Sequence, residues 1–213
     1  MGLDWNPLSR PKPGHEQEFA NIVEMNVHEL PPKEQQRIIA RLQDISEAPF
    51  ETLGAPRVGF DPEAEEWLAS QLKLSGRRES LASARKRMHG FYVLDLLPPN
   101  PGLPVYTSQG YEGVDRYTFR GEFLKDVSGL LGEELFEAAY SLMTASELNV
   151  YGGRVLAVAR AFAAKHGLER LEEQRDPPEN DASSPEAHAH VLFSAARWCL
   201  WWSARGHGLE PYY

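Results

Sequence analysis

The stretch that decides the fold is "SSPEAHAHVLFSAARWCLWWSARG", residues 183–206. A serine cap, a proline in the first turn and Glu186 at the positive end predict the start of a helix. We expect this helix to continue to about Arg205 and to end at Gly206. At about 100° per residue, apolar side chains cover most of its circumference. The sequence therefore predicts a central core helix in which Trp198 and Trp202 are buried anchors.

A narrow polar stripe interrupts this apolar surface. Its members follow one another at helical spacing: His190, Ser194, Arg197, Trp201 and Arg205. A polar stripe on a mostly buried helix either meets solvent or forms the wall of a cavity. The solvated face is the favoured interpretation, because isolated exposed apolar residues are common. In the alternative, two arginines and a histidine beside an indole suit an anionic or planar ligand.

The candidate ligand-binding residues combine this stripe with polar groups elsewhere in the chain. They are His190, Arg197, Trp201, Arg205, His207, Tyr111 and Arg120. Tyr111 belongs to the proline- and glycine-rich segment 98–116, and connections of that length are often functional. An exposed surface loop is the favoured interpretation of this segment. No catalytic residue is identified.

Helical periodicity recurs in the first third of the chain. It predicts one helix at about 15–29 and a second that carries Ile38 and Ile45 on its apolar side. A third helix is predicted to begin with Asp61 as its N-cap and Pro62 at the first helical position.

The segment 144–167 carries the signals of a long helix. Thr144 and Glu147 form the capping-box pattern at its start, and Gly167 is placed to end it. Gly152 lies on its apolar side, where a glycine costs about 1 kcal/mol against alanine. Close approach of a neighbouring helix is the favoured explanation; a ligand near the backbone or a break into two helices are the alternatives.

Two segments have the composition of strands, residues 91–97 and 114–120. The sequence therefore predicts a mainly α fold: a single helix-rich domain over residues 1–213, packed around the buried C-terminal helix, with a small antiparallel β element at about 91–120. Residues 169–184, "ERLEEQRDPPENDASS", are interpreted as a surface linker or a disordered loop within that domain.

Composition limits the classes of function. The 213 residues include 22 basic and 31 acidic side chains, and a net charge of −9 disfavours general binding to nucleic acid or anionic lipid. The basic run at 73–87 is interpreted mainly as a helix that gathers cations in its last turn; a phosphate or acidic-partner patch is the alternative. A single cysteine, Cys199, suits a reducing cytosol. No signal peptide is recognised and no apolar stretch reaches roughly 20 residues, so we expect a cytoplasmic protein without a membrane anchor.

The sequence does not match the motifs of zinc-protease, nucleophile or cofactor-binding sites. "HEQEF" at residues 15–19 lacks the second histidine of a zinc-protease helix. His188 and His190 would diverge by about 200° on a helix, so a shared metal is not expected. No nucleophile elbow, phosphate-binding loop or dinucleotide fingerprint occurs. We expect neither a metal nor a cofactor.

The leading functional hypothesis is a non-catalytic binding or protein-interaction module of the cytoplasm. It would self-associate or bind an unknown protein or a small anionic ligand, and Tyr212 and Tyr213 are expected to be docked, in one interpretation against a second subunit. The alternative is a small-molecule enzyme with a site between the 98–116 loop and the C-terminal helix. There Arg197 or Arg120 would hold an anionic group and His190 or His207 would serve as acid or base.

Overall fold

The computed structural model describes residues 2–25, 30–76, 78–98, 102–103, 117–179 and 181–213. The chain divides into two compact units. The first combines Met1–Ser46 with Pro101–Tyr213, and the second is Glu47–Asn100. The predicted mainly α fold with a small antiparallel sheet is confirmed. One domain over residues 1–213 stays a prediction.

The secondary structure of the described residues is mostly helical. The helices are α1 (Glu16–Val23), α2 (Pro32–Ile45), α3 (Pro49–Thr52), α4 (Pro62–Ser75), α5 (Leu81–Arg87), α6 (Ser128–Ala138, with non-helical backbone at Gly132), α7 (Ala145–His166) and α8 (Pro185–Ser203). Short 3₁₀ helices cover Leu94–Leu96, Gly121–Val127 and Glu169–Glu172. The strands are β1 (Asp4–Pro7), β2 (Arg10–Pro11), β3 (Ser46–Glu47) and β4 (Leu209–Tyr212). None of the described helices has the length and apolarity needed to span a bilayer.

Helix α8 is the centre of the first unit, as the sequence predicts. The Ser184 side chain accepts the N–H of Ala187 at 3.1 Å, and Pro185 occupies the first turn. The helix packs against α7 and against two of the 3₁₀ helices, Gly121–Val127 and Glu169–Glu172. Trp198 and Trp202 are 1% and 0% exposed, so their predicted role as core anchors is confirmed.

Helix α7 begins and ends where the sequence places its boundaries. The backbone N–H of Thr144 donates to Glu147 Oε2 at 2.8 Å, and the Thr144 hydroxyl accepts the Glu147 N–H, so the capping box is formed. Gly167 closes the helix with φ = 68°. A Cβ built on Gly152 would lie 2.7 Å from Cys199 Cβ on α8. The close approach of a neighbouring helix predicted at Gly152 is therefore confirmed.

Two adjacent glycines of α7 are expected to respond to alanine in opposite ways. Gly152→Ala should lower the free energy of unfolding by about 1–3 kcal/mol, because the new methyl group must push α8 aside. Gly153 has no atom within 4 Å of its built Cβ. Gly153→Ala should therefore raise stability by about 0.5–1 kcal/mol through helix propensity alone. Urea denaturation measures both, and equal effects at the two positions would contradict the close contact.

The β1–β4 sheet, one of two small two-stranded sheets in the described residues, joins residues from opposite parts of the sequence. β1 pairs with β4 in antiparallel register, from Asp4 opposite Tyr212 to Pro7 opposite Leu209. Trp5 on β1 also forms a single antiparallel bridge with Phe119. Because β1 and β4 lie far apart in the sequence, neither segment carries a local signal for the other. The sequence therefore does not predict a strand in β1 or in β4.

The Trp5 ring is a second centre of the first unit. Its ring centroid lies 5.0 Å from that of Phe119, 5.6 Å from that of Trp198 and 5.9 Å from that of Tyr151. Its indole N–H donates to the Ala139 carbonyl at 2.9 Å, so its polar atom is satisfied inside the core.

The predicted location of the β element at about 91–120 is wrong. Leu94–Leu96 is a 3₁₀ helix, and Tyr92 makes only an isolated bridge to Arg57. The ladder cannot lengthen, because its partner segment is bounded by Pro56, which has no N–H, and by Gly59 with φ = 90°. In the second predicted segment only the Phe119 bridge is observed; residues 114–116 lie outside the described residues.

The second unit has its own small core. Buried apolar side chains from α4, α5 and the segments before and after these two helices meet there: Val58, Ala64, Leu68, Ala84 and Val93. Asp61 occupies the N-cap position of α4, but its carboxylate does not accept a helix N–H as predicted. Asp61 Oδ2 instead accepts the backbone N–H of Arg57 at 2.7 Å.

Part of the basic run at 73–87 lies where its structural interpretation places cations. Helix α5 ends in Arg85, Lys86 and Arg87, where cations complement the negative helix end. Arg85 pairs with Glu65 at 3.0 Å and Arg87 with Glu79 at 2.9 Å. Arg77 lies outside the described residues.

Candidate functional site

Three members of the polar stripe border a cavity of about 390 Å³ in the first unit. We call it the α8 groove. Its lining comes from α7, from α8 with the two residues that follow it, and from the 3₁₀ helix Glu169–Glu172 with its next residue: Leu156, Glu172, Glu173, Phe193, Arg197, Leu200, Trp201, Ala204 and Arg205. Three of the candidate residues, Arg197, Trp201 and Arg205, are thus brought together on one wall.

Arg205 and Trp201 form a stacked pair. The guanidinium carbon of Arg205 lies 3.6 Å from the centre of the Trp201 ring, within cation–π distance. Arg205 Nη1 also donates to the Trp201 backbone carbonyl at 2.9 Å. Partial burial lowers the pKa of the Arg205 guanidinium from its ordinary value. The Arg205 guanidinium therefore covers one face of the indole and fixes a positive charge beside the ring.

Arg197 supplies the second positive charge of the groove. Its Nη1 donates to the Gln174 carbonyl at 3.5 Å, a weak contact. The carboxylate of Glu172 is held by Arg160, with Nη2 to Oε1 at 2.6 Å. This bond from Arg160, together with the charge of Arg197, lowers the pKa of Glu172. Since Arg160 already holds that carboxylate, Arg197 keeps donors for a further anionic partner.

The first two members of the stripe are buried, and for them the favoured solvated face is wrong. His190 is 0% and Ser194 1% exposed. His190 Nε2 lies 3.2 Å from the Gln174 carbonyl, and its Nδ1 lies 3.4 Å from the Ser194 hydroxyl. Burial lowers the pKa of His190 to about 4. The ring is therefore neutral at pH 7, with Nε2–H donating to the carbonyl and Nδ1 accepting from the hydroxyl.

The segment 172–176 is anchored on α8 through these same groups. The Gln174 carbonyl accepts from both His190 and Arg197, and Arg175 Nε donates to the Leu103 carbonyl at 3.1 Å. Leu171, immediately before the segment, is 1% exposed. Part of the stretch interpreted as a linker thus forms a wall of the groove.

The other candidate residues lie elsewhere. His207 is buried, and its Nδ1 donates to the Leu8 carbonyl at 2.8 Å. Arg120 pairs with Asp4 of β1, Nε to Oδ1 at 3.1 Å. Burial raises the pKa of Asp4, while the charge of Arg120 opposes that shift. Tyr111 lies outside the described residues.

Sequence reasoning missed the walls opposite the stripe, which come from Leu156, Glu172 and Glu173. The only signal for them was Leu171, the last apolar residue before a charged segment, which the structure shows as a buried anchor. Gly102 and Tyr117 also lie near Trp201: a Cβ built on Gly102 would be 3.9 Å from Trp201 Nε1, and the Tyr117 ring centroid is 6.5 Å from that of Trp201.

Metal-binding clusters and known relatives give no further indication of function. The part of the chain that the structure describes has no group of three or more histidine, cysteine, aspartate or glutamate side chains placed to hold a metal ion. The chain matches no protein-family model, no curated protein and no solved structure.

Proposed function

We propose that this protein is a non-catalytic binding module of the cytoplasm whose α8 groove takes a small ligand with a carboxylate on a planar, apolar body. The observation that carries the proposal is the placement of Arg197, Trp201 and Arg205 on one wall of a cavity. A volume of about 390 Å³ falls at the small end of ligand-binding cavities, which favours a small ligand over a protein segment.

The groove offers separate places for the two parts of such a ligand. Arginine donors bind a carboxylate through charge-assisted hydrogen bonds, and the part of Trp201 that lines the cavity provides aromatic surface for a ring. Leu156, Phe193 and Leu200 supply the apolar surface beside them. Glu172 is engaged by Arg160, so its charge opposes an incoming anion less than a free carboxylate would.

The surroundings of the two candidate histidines support binding rather than acid–base catalysis. Both ring nitrogens of His190 are occupied, by a backbone carbonyl and by a hydroxyl. His207 donates to a backbone carbonyl. A general base works best with a pKa near the operating pH, and that of His190 is about 4. The enzyme alternative keeps one supporting observation, the nearness of Gly102 and Tyr117 to Trp201.

Self-association remains a second proposal. It is supported by exposed apolar residues: Leu142 and Val150 line another concavity of about 440 Å³ between the ends of α6 and α7. Tyr212 and Tyr213 are exposed as well, although the Tyr213 ring lies 5.8 Å from that of Tyr140. Exposed apolar patches of this kind often mark interaction surfaces.

Titration with 1-naphthoate, followed by calorimetry, tests the α8 groove. We expect binding by the wild-type protein and a loss of affinity of about tenfold in Arg197→Gln and in Arg205→Gln, since each removes one charge-assisted hydrogen bond. Naphthalene-1-methanol, which lacks the carboxylate, should bind at least about tenfold more weakly.

Arg37→Gln is the matched control, because Arg37 is an exposed arginine of α2 away from the groove lining. It should bind 1-naphthoate as the wild type does. The proposal is wrong if the wild-type protein does not bind the anion, or if all three arginine variants bind it equally.

A further inference from the structure

The second unit holds an arginine side chain between two aromatic rings. An isolated antiparallel bridge places Arg57 directly across from Tyr92. The guanidinium carbon lies 3.9 Å from the centre of the Phe60 ring and 5.4 Å from that of Tyr92. Both distances are within the range of cation–π contacts. The guanidinium is therefore held in one orientation, which is a requirement for directional binding.

One edge of this guanidinium is engaged and the other is not. Arg57 Nη1 donates to the Tyr92 hydroxyl at 3.2 Å, and that hydroxyl donates to Glu51 Oε2 at 3.4 Å. Arg57 Nε is enclosed and has no acceptor among the described residues; none of them accepts from Nη2 either. Nη2 is not enclosed, so it can donate to the carboxylate of a ligand.

A cavity of about 320 Å³ lies beside the guanidinium, wholly within the second unit. It is lined by Glu51, Ala55, Arg57, Phe60, Asp61 and Tyr92. One guanidinium and two carboxylates give this wall a net negative charge, which disfavours phosphate and other polyanions. A ligand that carries both a carboxylate and an ammonium group matches both signs. The volume limits that ligand to a small molecule.

We propose that this cavity, which we call the Arg57 pocket, binds a free α-amino acid. The ligand carboxylate accepts from Nη2 of Arg57, and the ammonium group faces Glu51 and Asp61. Asp61 Oδ2 already accepts the Arg57 N–H, and an ionised carboxylate retains acceptor capacity on its second oxygen. Phe60 is 57% exposed and provides a surface for the ligand side chain. This inference is independent of the α8 groove.

Calorimetric titration of the full chain with L-leucine tests the Arg57 pocket. Two analogues each remove one charge: N-acetyl-L-leucine lacks the ammonium group and L-leucinamide lacks the carboxylate. We expect L-leucine to bind and both analogues to bind at least about tenfold more weakly. Equal affinity for N-acetyl-L-leucine overturns the proposal, and so does a lack of binding for L-leucine, glycine and L-lysine alike.

Substitutions locate the binding. Arg57→Lys keeps the positive charge but removes the planar guanidinium with its oriented Nη2 donor, so L-leucine affinity should fall at least about tenfold. Glu51→Gln, at an exposed position, should weaken L-leucine by about fivefold and reduce the discrimination against N-acetyl-L-leucine. Arg85→Lys, another arginine of the same unit, is the matched control and should not change binding.

Circular dichroism establishes that each variant is folded. If Arg57→Lys does not fold, the L-leucine affinity of Glu51→Gln tests the proposal instead. We expect Glu51→Gln to fold, because the Glu51 side chain contributes only a contact to Tyr92. Trp201→Ala should bind L-leucine normally, which separates the Arg57 pocket from the α8 groove. Unchanged L-leucine affinity in both Glu51→Gln and folded Arg57→Lys would sink the proposal.

Discussion

Trp202→Ala is expected to lower the free energy of unfolding by about 3–5 kcal/mol, the range for truncating a large buried aromatic side chain. Trp202 is 0% exposed, and its indole N–H donates to the Tyr117 carbonyl at 3.1 Å. Its ring also contacts His207 edge-on, with the centroids 5.2 Å apart. Alanine would leave a cavity at the centre of the first unit. Guanidinium denaturation followed by far-ultraviolet circular dichroism measures the loss.

The neighbouring tryptophan is the matched control for this prediction. Trp201 is only half-buried; the Arg205 guanidinium lies 3.6 Å from its ring centre, and the Trp202 ring meets it edge-on with the centroids 4.7 Å apart. Trp201→Ala should cost about 1–2 kcal/mol, because it removes a surface cation–π pair and little core volume. Trp202→Phe should cost about 1 kcal/mol, since the Tyr117 carbonyl keeps the N–H of Trp198 at 2.9 Å. Equal losses for Trp201→Ala and Trp202→Ala would contradict the enclosure of α8.

Stability is expected to fall by about 3 kcal/mol as the pH drops from 6.5 to about 4, through the titration of His190. Burial lowers the pKa of His190 from an ordinary 6.5 to about 4, and the nearby charge of Arg197 acts in the same direction, while Asp176 opposes it. In this interval the unfolded chain binds a proton that the folded chain excludes. The contribution of the neutral His190 ring to the free energy of unfolding is complete above pH 6.5 and lost below about pH 4. Urea denaturation at several pH values measures it.

His190→Gln should flatten the pH dependence of stability between pH 6.5 and 4.5, whatever its effect on stability at pH 7. His166→Gln, at an exposed position of α7, is the control variant with which the slope is compared. The acidic groups with lowered pKa, such as Glu18, Glu122 and Glu172, lose their contribution below pH 4.5, outside this comparison. A slope that persists in His190→Gln would show that another group is responsible.

The features that the sequence predicts well are those set by neighbouring residues. Serine and proline at the start of α8, the capping box at Thr144 and the glycine that ends α7 act through bonds within one helical turn. The burial of Trp198 follows from the apolar residues around most of the circumference of α8. The close contact between helices at Gly152 follows from the place of this glycine on the apolar face of α7.

The features that the sequence does not predict depend on distant partners. Residues 91–97 have strand composition, yet Pro56 and Gly59 on the opposite segment limit the pairing to an isolated bridge. The α8 groove needs Glu172 and Glu173 opposite the stripe, and a charged segment carries no mark of what it packs against. Arg120 was grouped with the stripe because of its charge, but its partner Asp4 lies on β1.

The first unit consists of two separate segments of the sequence, and this affects how the chain folds as it leaves the ribosome. Trp5 is made early, whereas its ring partners Phe119, Tyr151 and Trp198 all follow the inserted second unit. The bond between His207 and Leu8 spans 199 residues. The ends of the first unit therefore meet only after α8 has emerged, and we expect the Trp5 side chain to lack its core partners during that delay.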